Sequence, residues 1–540
     1  MEKCNLLLTN GKIIDGTGNP WYRADIGIRA GKIESIGCLK NISAERYIDV
    51  ENLVVSPGFI DIHTHSDISP FHTPEADSHI YQGITTDVIG NCGGSMAPMS
   101  DFLKENNKIV AAEYDINFEW NTFKEYLLKM DSLKTSINIA PQVGQATIRL
   151  AVMGMENREP TRQEIELMKE HVAEAMESGA FGLSTGLWYA PSGFAKTNEI
   201  IELAKVAAKY GGIYSTHIRG EGDPLIEAIH EAIEIGEKAN IPVQISHHKA
   251  MGMRNWGKVH ETMKMMDEAR ERGVDVTADV YAWVANATGL TAMLPHWVHD
   301  GGREAIIKRL KNKETRKKIK KDMIEGISGW ESLVSECGWD RIMITRSPNN
   351  EKYEGKRIQE LADEKGVDAY DFAFDLLIDE ECRVGLVIFS INEEDAMYIM
   401  NHPLSMIASD SSSISPRGYI GRGKPHPRNY GNAVKFIGTY VRDKKLMPLE
   451  QGIRKLTSFP ALKLGLKDRG IIREGLMADF VVFDPETIAS NAKYDDPHQY
   501  PTGIHYVLVN GELVIENGKH TNIFPGKILR KKGKIYSSGV

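Results

Sequence analysis

The stretch Pro57-Gly58-Phe59-Ile60-Asp61-Ile62-His63-Thr64-His65-Ser66-Asp67 decides how this 540-residue chain is read. An apolar run of β-formers ends in two histidines spaced i, i+2. If the run is a strand, its side chains alternate between faces. Asp61, His63 and His65 then share one face, and Ile60 and Ile62 anchor the other. Two imidazoles at one strand end can grip a single divalent metal. A partly buried strand that merely carries histidines would look the same. The metal reading therefore needs further ligands at comparable strand ends.

Outward from this stretch, residues 1–56 read as short strands and turns. Leu6-Leu7-Leu8, Lys12-Ile13-Ile14, Ala24-Asp25-Ile26-Gly27-Ile28 and Lys32-Ile33-Glu34-Ser35-Ile36 are separated by turn signals at Asn10-Gly11, Gly16-Thr17-Gly18 and Ala30-Gly31. Residues 466–540 look alike, with a strand over 478–484 and a hairpin turning at Asn510-Gly511. Each end is too small for its own core, so the two are expected to pair into one small β-sandwich.

Between the ends, strand and helix alternate. Strands are predicted over 54–65, 84–92, 137–143, 180–186, 212–217, 242–247, 274–281 and 405–410. Amphipathic helices are predicted over 162–178, 198–210, 224–239 and 258–272. Eight strands with intervening helices predict an α/β fold, a (β/α)8 TIM-like barrel spanning 57–465. The interval before the last strand is far too long for a simple crossover. Its basic helical stretch 303–321 and helix-like run 357–378 read as an inserted subdomain, about 290–400, over part of the barrel mouth.

A net charge of -9 argues against a general nucleic-acid binder, and the basic run 303–321 reads as a solvated helix face. No stretch approaches ~18 uninterrupted apolar residues, and Met1-Glu2-Lys3-Cys4-Asn5 lacks the marks of a signal peptide. Five scattered cysteines fit a reducing compartment. The expectation is a cytoplasmic globular protein without membrane or nucleic-acid partners. Oligomeric state is not legible.

The predicted strand ends supply the further ligands. His63 and His65 close the first strand, and Cys92 ends the second ahead of Gly93-Gly94. His217 ends the fifth. The sixth carries His247 and Lys249 on one phase, and the eighth ends in Asp410. Barrel active sites gather at this strand end, so residues distant in sequence converge there. Each residue alone is more often structural; five strand ends together point to a metal. Mixed His, Cys and Asp donors suit zinc, and the thiolate disfavours magnesium or calcium. His248 and His72 fall out of phase or beyond the strands. His171, His230 and His260 fall on helices.

The chain resembles the amidohydrolase superfamily, and within it the D-aminoacylases (N-acyl-D-amino-acid deacylases). The first-strand stretch looks like the superfamily's signature. More specific to the deacylases are Gly90-Asn91-Cys92-Gly93-Gly94-Ser95-Met96-Ala97-Pro98, Gly182-Leu183-Ser184-Thr185-Gly186-Leu187-Trp188-Tyr189, Thr216-His217-Ile218-Arg219, Ser246-His247-His248-Lys249 and His426-Pro427-Arg428. The resemblance implies a tighter zinc on Cys92, His217 and His247, and a weaker or optional second metal framed by His63, His65 and Asp410. It also implies that Lys249, Tyr281 and Arg428 contact a substrate carboxylate, with Tyr189 near the scissile group.

Departures from the family pattern stand at Val143-Gly144-Gln145-Ala146, Tyr281-Ala282-Trp283 and Asp410-Ser411-Ser412-Ser413. An arginine that marks acidic-substrate members is absent from 288–295. The implied activity is zinc-dependent removal of the acyl group from N-acyl-D-amino acids with neutral or apolar side chains. Asp410 would be both ligand and proton shuttle. A cyclic-amide hydrolase or a D-residue-specific dipeptidase is the alternative on the same scaffold. A non-catalytic scaffold is the alternative of a different class.

Overall fold

The computed structural model describes residues 3–531 and has an α/β architecture. A nine-stranded sheet draws on both ends of the chain. Val54–Pro57 pairs in parallel with Cys4–Ile13 on one side and antiparallel with Phe480–Phe483 on the other, so the two ends meet at this strand. Side chains alternate across it as a pleated strand requires. Phe480 and Val482 enter a core with Leu6, Leu8, Ile26 and Ile28, whereas Val481 and Phe483 join the main core of the molecule.

Two turn signals resolve differently. Ala30-Gly31 joins Tyr22–Arg29 to Lys32–Gly37 as expected, with both residues at positive φ. Asn10-Gly11 is not a turn: Cys4–Ile13 runs through it as one strand, with a register shift against its partner between Leu8 and Gly11. Asn-Gly here supplies the left-handed residue of a bulge (Asn10 φ 62°) rather than of a hairpin. Asn510-Gly511 does turn a hairpin, between Ile504–Val509 and Glu512–Glu516.

The alternating part of the chain forms two parallel sheets. One holds Phe59–Asp61, Ile84–Ile89 and Asn138–Pro141. The other runs from Val143–Gly144 through Gly182–Gly186, Ile213–His217, Val243–Ile245 and Val276–Val280 to Ser405–Ile407. Only Gln142 separates the two segments of the third strand. At the far side, Asp410 N–H donates to His63 O (2.9 Å) and His65 N–H to Ser411 O (2.7 Å), so the last strand's exit runs beside the first's. The strands are buried on both faces, as helix-covered parallel sheets are.

The predicted strand 54–65 is broken. Gly58 marks the passage from the terminal sheet to the central one, and a Cβ there would lie 2.2 Å from Thr85 Oγ1. The central strand then ends at Asp61. That carboxylate accepts the backbone N–H groups of His63 and Ser409, replacing ladder partners with a side-chain cap. Simple alternation therefore fails past Asp61, and the two histidines lie in an irregular segment.

The helix Arg162–Ser178 matches its prediction because both ends are signalled. Thr161 and Glu164 make a capping box, and Gly179 takes the left-handed C-cap. The basic stretch is two helices, Gly302–Lys311 and Lys313–Glu325, divided at Asn312, whose side chain caps the second. Lys317, Lys318 and Lys321 pair with acids three or four residues away on a solvated face. The run 357–378 likewise divides, at Gly366. Sequence reading missed a three-stranded antiparallel sheet in this interval, built from Asn286–Gly289, Gly385–Ile388 and Ile342–Arg346. Its elements share a second core that includes Trp188 and Met251 from the strand-end loops. No helix among the described residues is long and apolar enough to cross a membrane.

Candidate metal centre

Three of the six anticipated ligands lie just past their strands, in turns of one kind. The strands stop at Ile89, Ile245 and Ile407. Cys92, His247 and Asp410 follow at φ 50°, 36° and 51°. A left-handed backbone is costly for a residue with a Cβ, roughly 1–3 kcal/mol, and persists where its surroundings over-determine it. Here it re-aims each side chain into one cavity. His217 stays on its strand, Ile213–His217.

The convergence is close. Cys92 Sγ lies 3.3 Å from His63 Nε2, 3.7 Å from His247 Nε2 and 3.9 Å from His217 Nδ1. Asp410 Oδ1 lies 3.1 Å from His65 Nε2 and 3.5 Å from His63 Nε2. Its Oδ2 is 2.8 Å from Arg428 Nη1. Among the described residues, three trios have ligand atoms within 4.8 Å of one another: His63, Cys92 and His247; His63, His65 and Asp410; His217, Glu221 and His247. All six anticipated residues fall in this cluster. His63 contacts Cys92 more closely than His217 does.

Electrostatics favour anionic Cys92 and Asp410. Burial alone would push the Cys92 thiol up, but His63, His217 and His247 outweigh it and hold the group well below the usual thiol range. Burial likewise opposes ionisation of Asp410, and Arg428, His247, His63 and His65 overcome it. His65 is raised to about 9, burial being outweighed by Asp410 and Cys92. His217 Nε2 is buried without a hydrogen-bond partner. Thiolate, imidazoles and a carboxylate within a few ångströms, with one orphaned imidazole nitrogen, fit a zinc ion in donor type and number.

Two carboxylates went unanticipated. Asp279, on the seventh strand, contacts His63 Nδ1 through Oδ1 at 3.2 Å, and the same oxygen accepts the backbone N–H of His247 at 2.7 Å. It thereby fixes one ring and one strained backbone, the usual work of an outer-shell carboxylate. Asp279→Asn is expected to weaken divalent-metal affinity about 10–100-fold with the fold intact. Competition with a fluorescent chelator measures it, and unchanged affinity would contradict this role. Glu221 lies 3.0 Å from His247 Nδ1 and 2.6 Å from Lys249 Nζ. Its only sequence signal is its place four residues after His217.

The anticipated carboxylate contacts are arranged around Asp410 and Glu221. Lys249 is buried, donating to Glu221 and to His247 O. Arg428 is the first residue of the helix Arg428–Lys435 and is buried. Its guanidinium stands 4.8 Å over the Tyr281 ring, and the Tyr281 hydroxyl has no partner. Tyr189 O–H is paired with Thr288 Oγ1 at 3.1 Å, and its ring lies 4.8 Å from that of His217. His248 turns away to Thr262 Oγ1. Gln145, at a family departure, is buried and structural: it donates to Glu199 and accepts from Ser192.

His65, Cys92, Tyr189, His217, Glu221, His247, Lys249, Asp410 and Arg428 line a cavity of about 460 Å³, with His63 behind Cys92 and Asp410. Asn286, Thr288, Ala292 and Leu333 from the long interval before the last strand complete its wall, and Trp188, Leu150 and Met155 make part of it apolar.

Comparison with known proteins extends over nearly the whole chain. A model of the amidohydrolase family matches residues 46–515. The D-aminoacylase of Alcaligenes xylosoxydans xylosoxydans is 35% identical over 535 residues, covering 98% of each chain. An N-acyl-D-glutamate deacylase from Bordetella bronchiseptica, solved with zinc and a phosphonate mimic of the tetrahedral intermediate, superposes with TM-score 0.83. It is 34% identical, over 98% of this chain and 100% of that one. A D-aminoacylase with a binuclear metal centre, described as activated by one metal and attenuated by a second, gives TM-score 0.81 at 34% identity, over 98% of this chain and 100% of that one.

Proposed function

The chain belongs to the amidohydrolase family, and on that footing we propose that it is a zinc-dependent deacylase converting N-acyl-D-amino acids to a carboxylate and a free D-amino acid. The observation that carries this is the convergence of Cys92, four histidines and Asp410 in one cluster, beside a cavity whose wall also presents Lys249 and Arg428. Cys92, His217 and His247 are assigned to the tighter zinc, and His63, His65 and Asp410 to a second, weaker position. The eight parallel strands are read as one closed barrel over 57–465, with an insertion about 290–400. The paired ends, 1–56 and 466–540, are read as a sandwich.

Zinc, when bound, supplies Lewis acidity that polarises a carbonyl and brings a water's pKa to roughly 7. The remaining work falls to side chains. Asp410, held ionised by Arg428 and the imidazoles, accepts the proton of the attacking water and passes it to the departing amine nitrogen. Arg428 has a buried Nε without a partner, so its fork can take the substrate carboxylate while one nitrogen keeps Asp410. Lys249, on the same cavity wall, adds positive charge, and Tyr281, whose ring lies under Arg428, has a hydroxyl without a partner. Tyr189 can exchange Thr288 for the developing oxyanion. An apolar wall of Leu150, Met155, Trp188 and Leu333 supports neutral or apolar side chains.

Zinc-loaded protein should release D-leucine, D-methionine or D-phenylalanine from their N-acetyl forms. The rate should be lost on chelation and restored by zinc. The same assay with N-acetyl-L-amino acids and hydantoins is the control. Release of L-products, or ring opening alone, would overturn the assignment.

A further inference from the structure

A second cavity, about 530 Å³, adjoins the first and shares His65, Gly94, Thr147, Leu150 and Met155 with it. Most of its own wall area is apolar, from residues such as Met96, Met99, Phe102, Leu103 and Phe118, with Asp67, Asn106 and Arg303 also lining it. Gly94 lines both cavities, and a Cβ there would make one ordinary contact, with Asn91 O at 3.8 Å, so the backbone is uncrowded where the two adjoin. A volume of this size is in the range that holds a small-molecule group rather than a packing defect. An apolar chamber leading off a charged cluster is not needed to hold the cluster together.

Direction follows from the contacts. Arg428 touches one oxygen of Asp410 and His65 touches the other, so His65 lies beyond Asp410 as seen from Arg428. Arg428, Lys249 and Tyr189 border only the first cavity; the second opens past His65. In an N-acyl amino acid, the carboxylate and side chain are on the amine side of the scissile bond. The acyl tail leaves the reacting carbon the opposite way. With the carboxylate at Arg428, that tail is directed towards His65 and the apolar chamber.

We propose that this second cavity is an acyl-chain site, and that N-acyl-D-amino acids with medium to long unbranched fatty acyl groups are preferred as substrates over their N-acetyl counterparts. The inference rests on the deacylase reading above and specifies its substrate class.

The test is a series of N-acyl-D-leucines from acetyl to myristoyl, assayed below their micelle-forming concentrations with zinc-loaded protein. kcat/KM should rise about fourfold per methylene, the fold-change expected for burying one CH2, until the chamber is filled. Met96 lines only the second cavity and is partly exposed. Met96→Trp should therefore shorten the optimal chain while leaving N-acetyl-D-leucine turnover unchanged. Met96→Ala should move the optimum to longer chains. A flat or falling profile in the wild type, with N-acetyl-D-leucine hydrolysed, overturns this inference alone. So does a Met96→Trp variant that discriminates among amino-acid side chains instead of acyl lengths, which would make the chamber a side-chain site. Absence of hydrolysis at every acyl length overturns the deacylase reading and this inference with it.

Discussion

Cys92→Ala is expected to leave a folded chain that no longer retains zinc through dialysis and no longer hydrolyses N-acyl-D-amino acids at a measurable rate. Cys92 is the only soft donor in the cluster, and its sulfur faces three imidazole nitrogens within 3.9 Å. Those rings hold it as an anion against the opposing effect of burial. Removing the sulfur takes away both a ligand and the negative charge that the surrounding imidazoles face. Loss of an outer-shell partner alone costs about 10–100-fold in metal affinity, and loss of a ligand should cost more. Elemental analysis of dialysed protein, beside circular dichroism to show that folding is unchanged, reads the effect. A variant with stoichiometric zinc and an unaltered rate would refute the assignment of Cys92.

Asp410→Asn is the second large effect: kcat should fall ~10²–10⁴-fold, the usual worth of a positioned general acid–base. The amide keeps the size of the carboxylate but can neither accept the water's proton nor carry it to the amine. The trio of Cys92, His217 and His247 is untouched by the change, so zinc content should persist. Arg428 loses its anionic partner and gains affinity for the substrate carboxylate, so KM should stay level or drop. A fall in kcat of less than tenfold would show that the proton moves by another route.

Much of this site is legible in the sequence, because its donors are chemically conspicuous and fall where strands end. Cys92, His217, His247 and Asp410 each close an apolar run bounded by helices, a pattern that periodicity exposes. What periodicity does not expose is the backbone between run and ligand. The left-handed turns at Cys92, His247 and Asp410 are set by tertiary contacts; that at His247, for one, has Asp279 on its N–H. Strand alternation picks out residues that do converge in one cluster while describing the wrong local geometry, most clearly at His63 and His65. Glu221 and Asp279 escape for opposite reasons. One sits in a loop without a pattern, and the other is hidden inside an apolar strand. The antiparallel sheet over Asn286–Ile388 escapes because its strands are only four or five residues long and pair across intervening helices. Asn10-Gly11 shows the same limit: a turn-forming pair becomes a bulge when the partner strand continues past it.

The shared terminal sheet bears on the order in which the molecule can be completed. Val54–Pro57 leads directly into the segment that delivers His63 and His65, and its antiparallel neighbour Phe480–Phe483 is made roughly 420 residues later. At ~5–20 residues per second, that strand edge waits on the order of 20–90 s on the ribosome without its partner. An unpaired apolar edge is an invitation to foreign strands throughout that interval. Nascent chains are thus exposed to misassembly at the root of the segment that carries His63 and His65, and the strand Phe480–Phe483 acts as the clasp that ends the exposure.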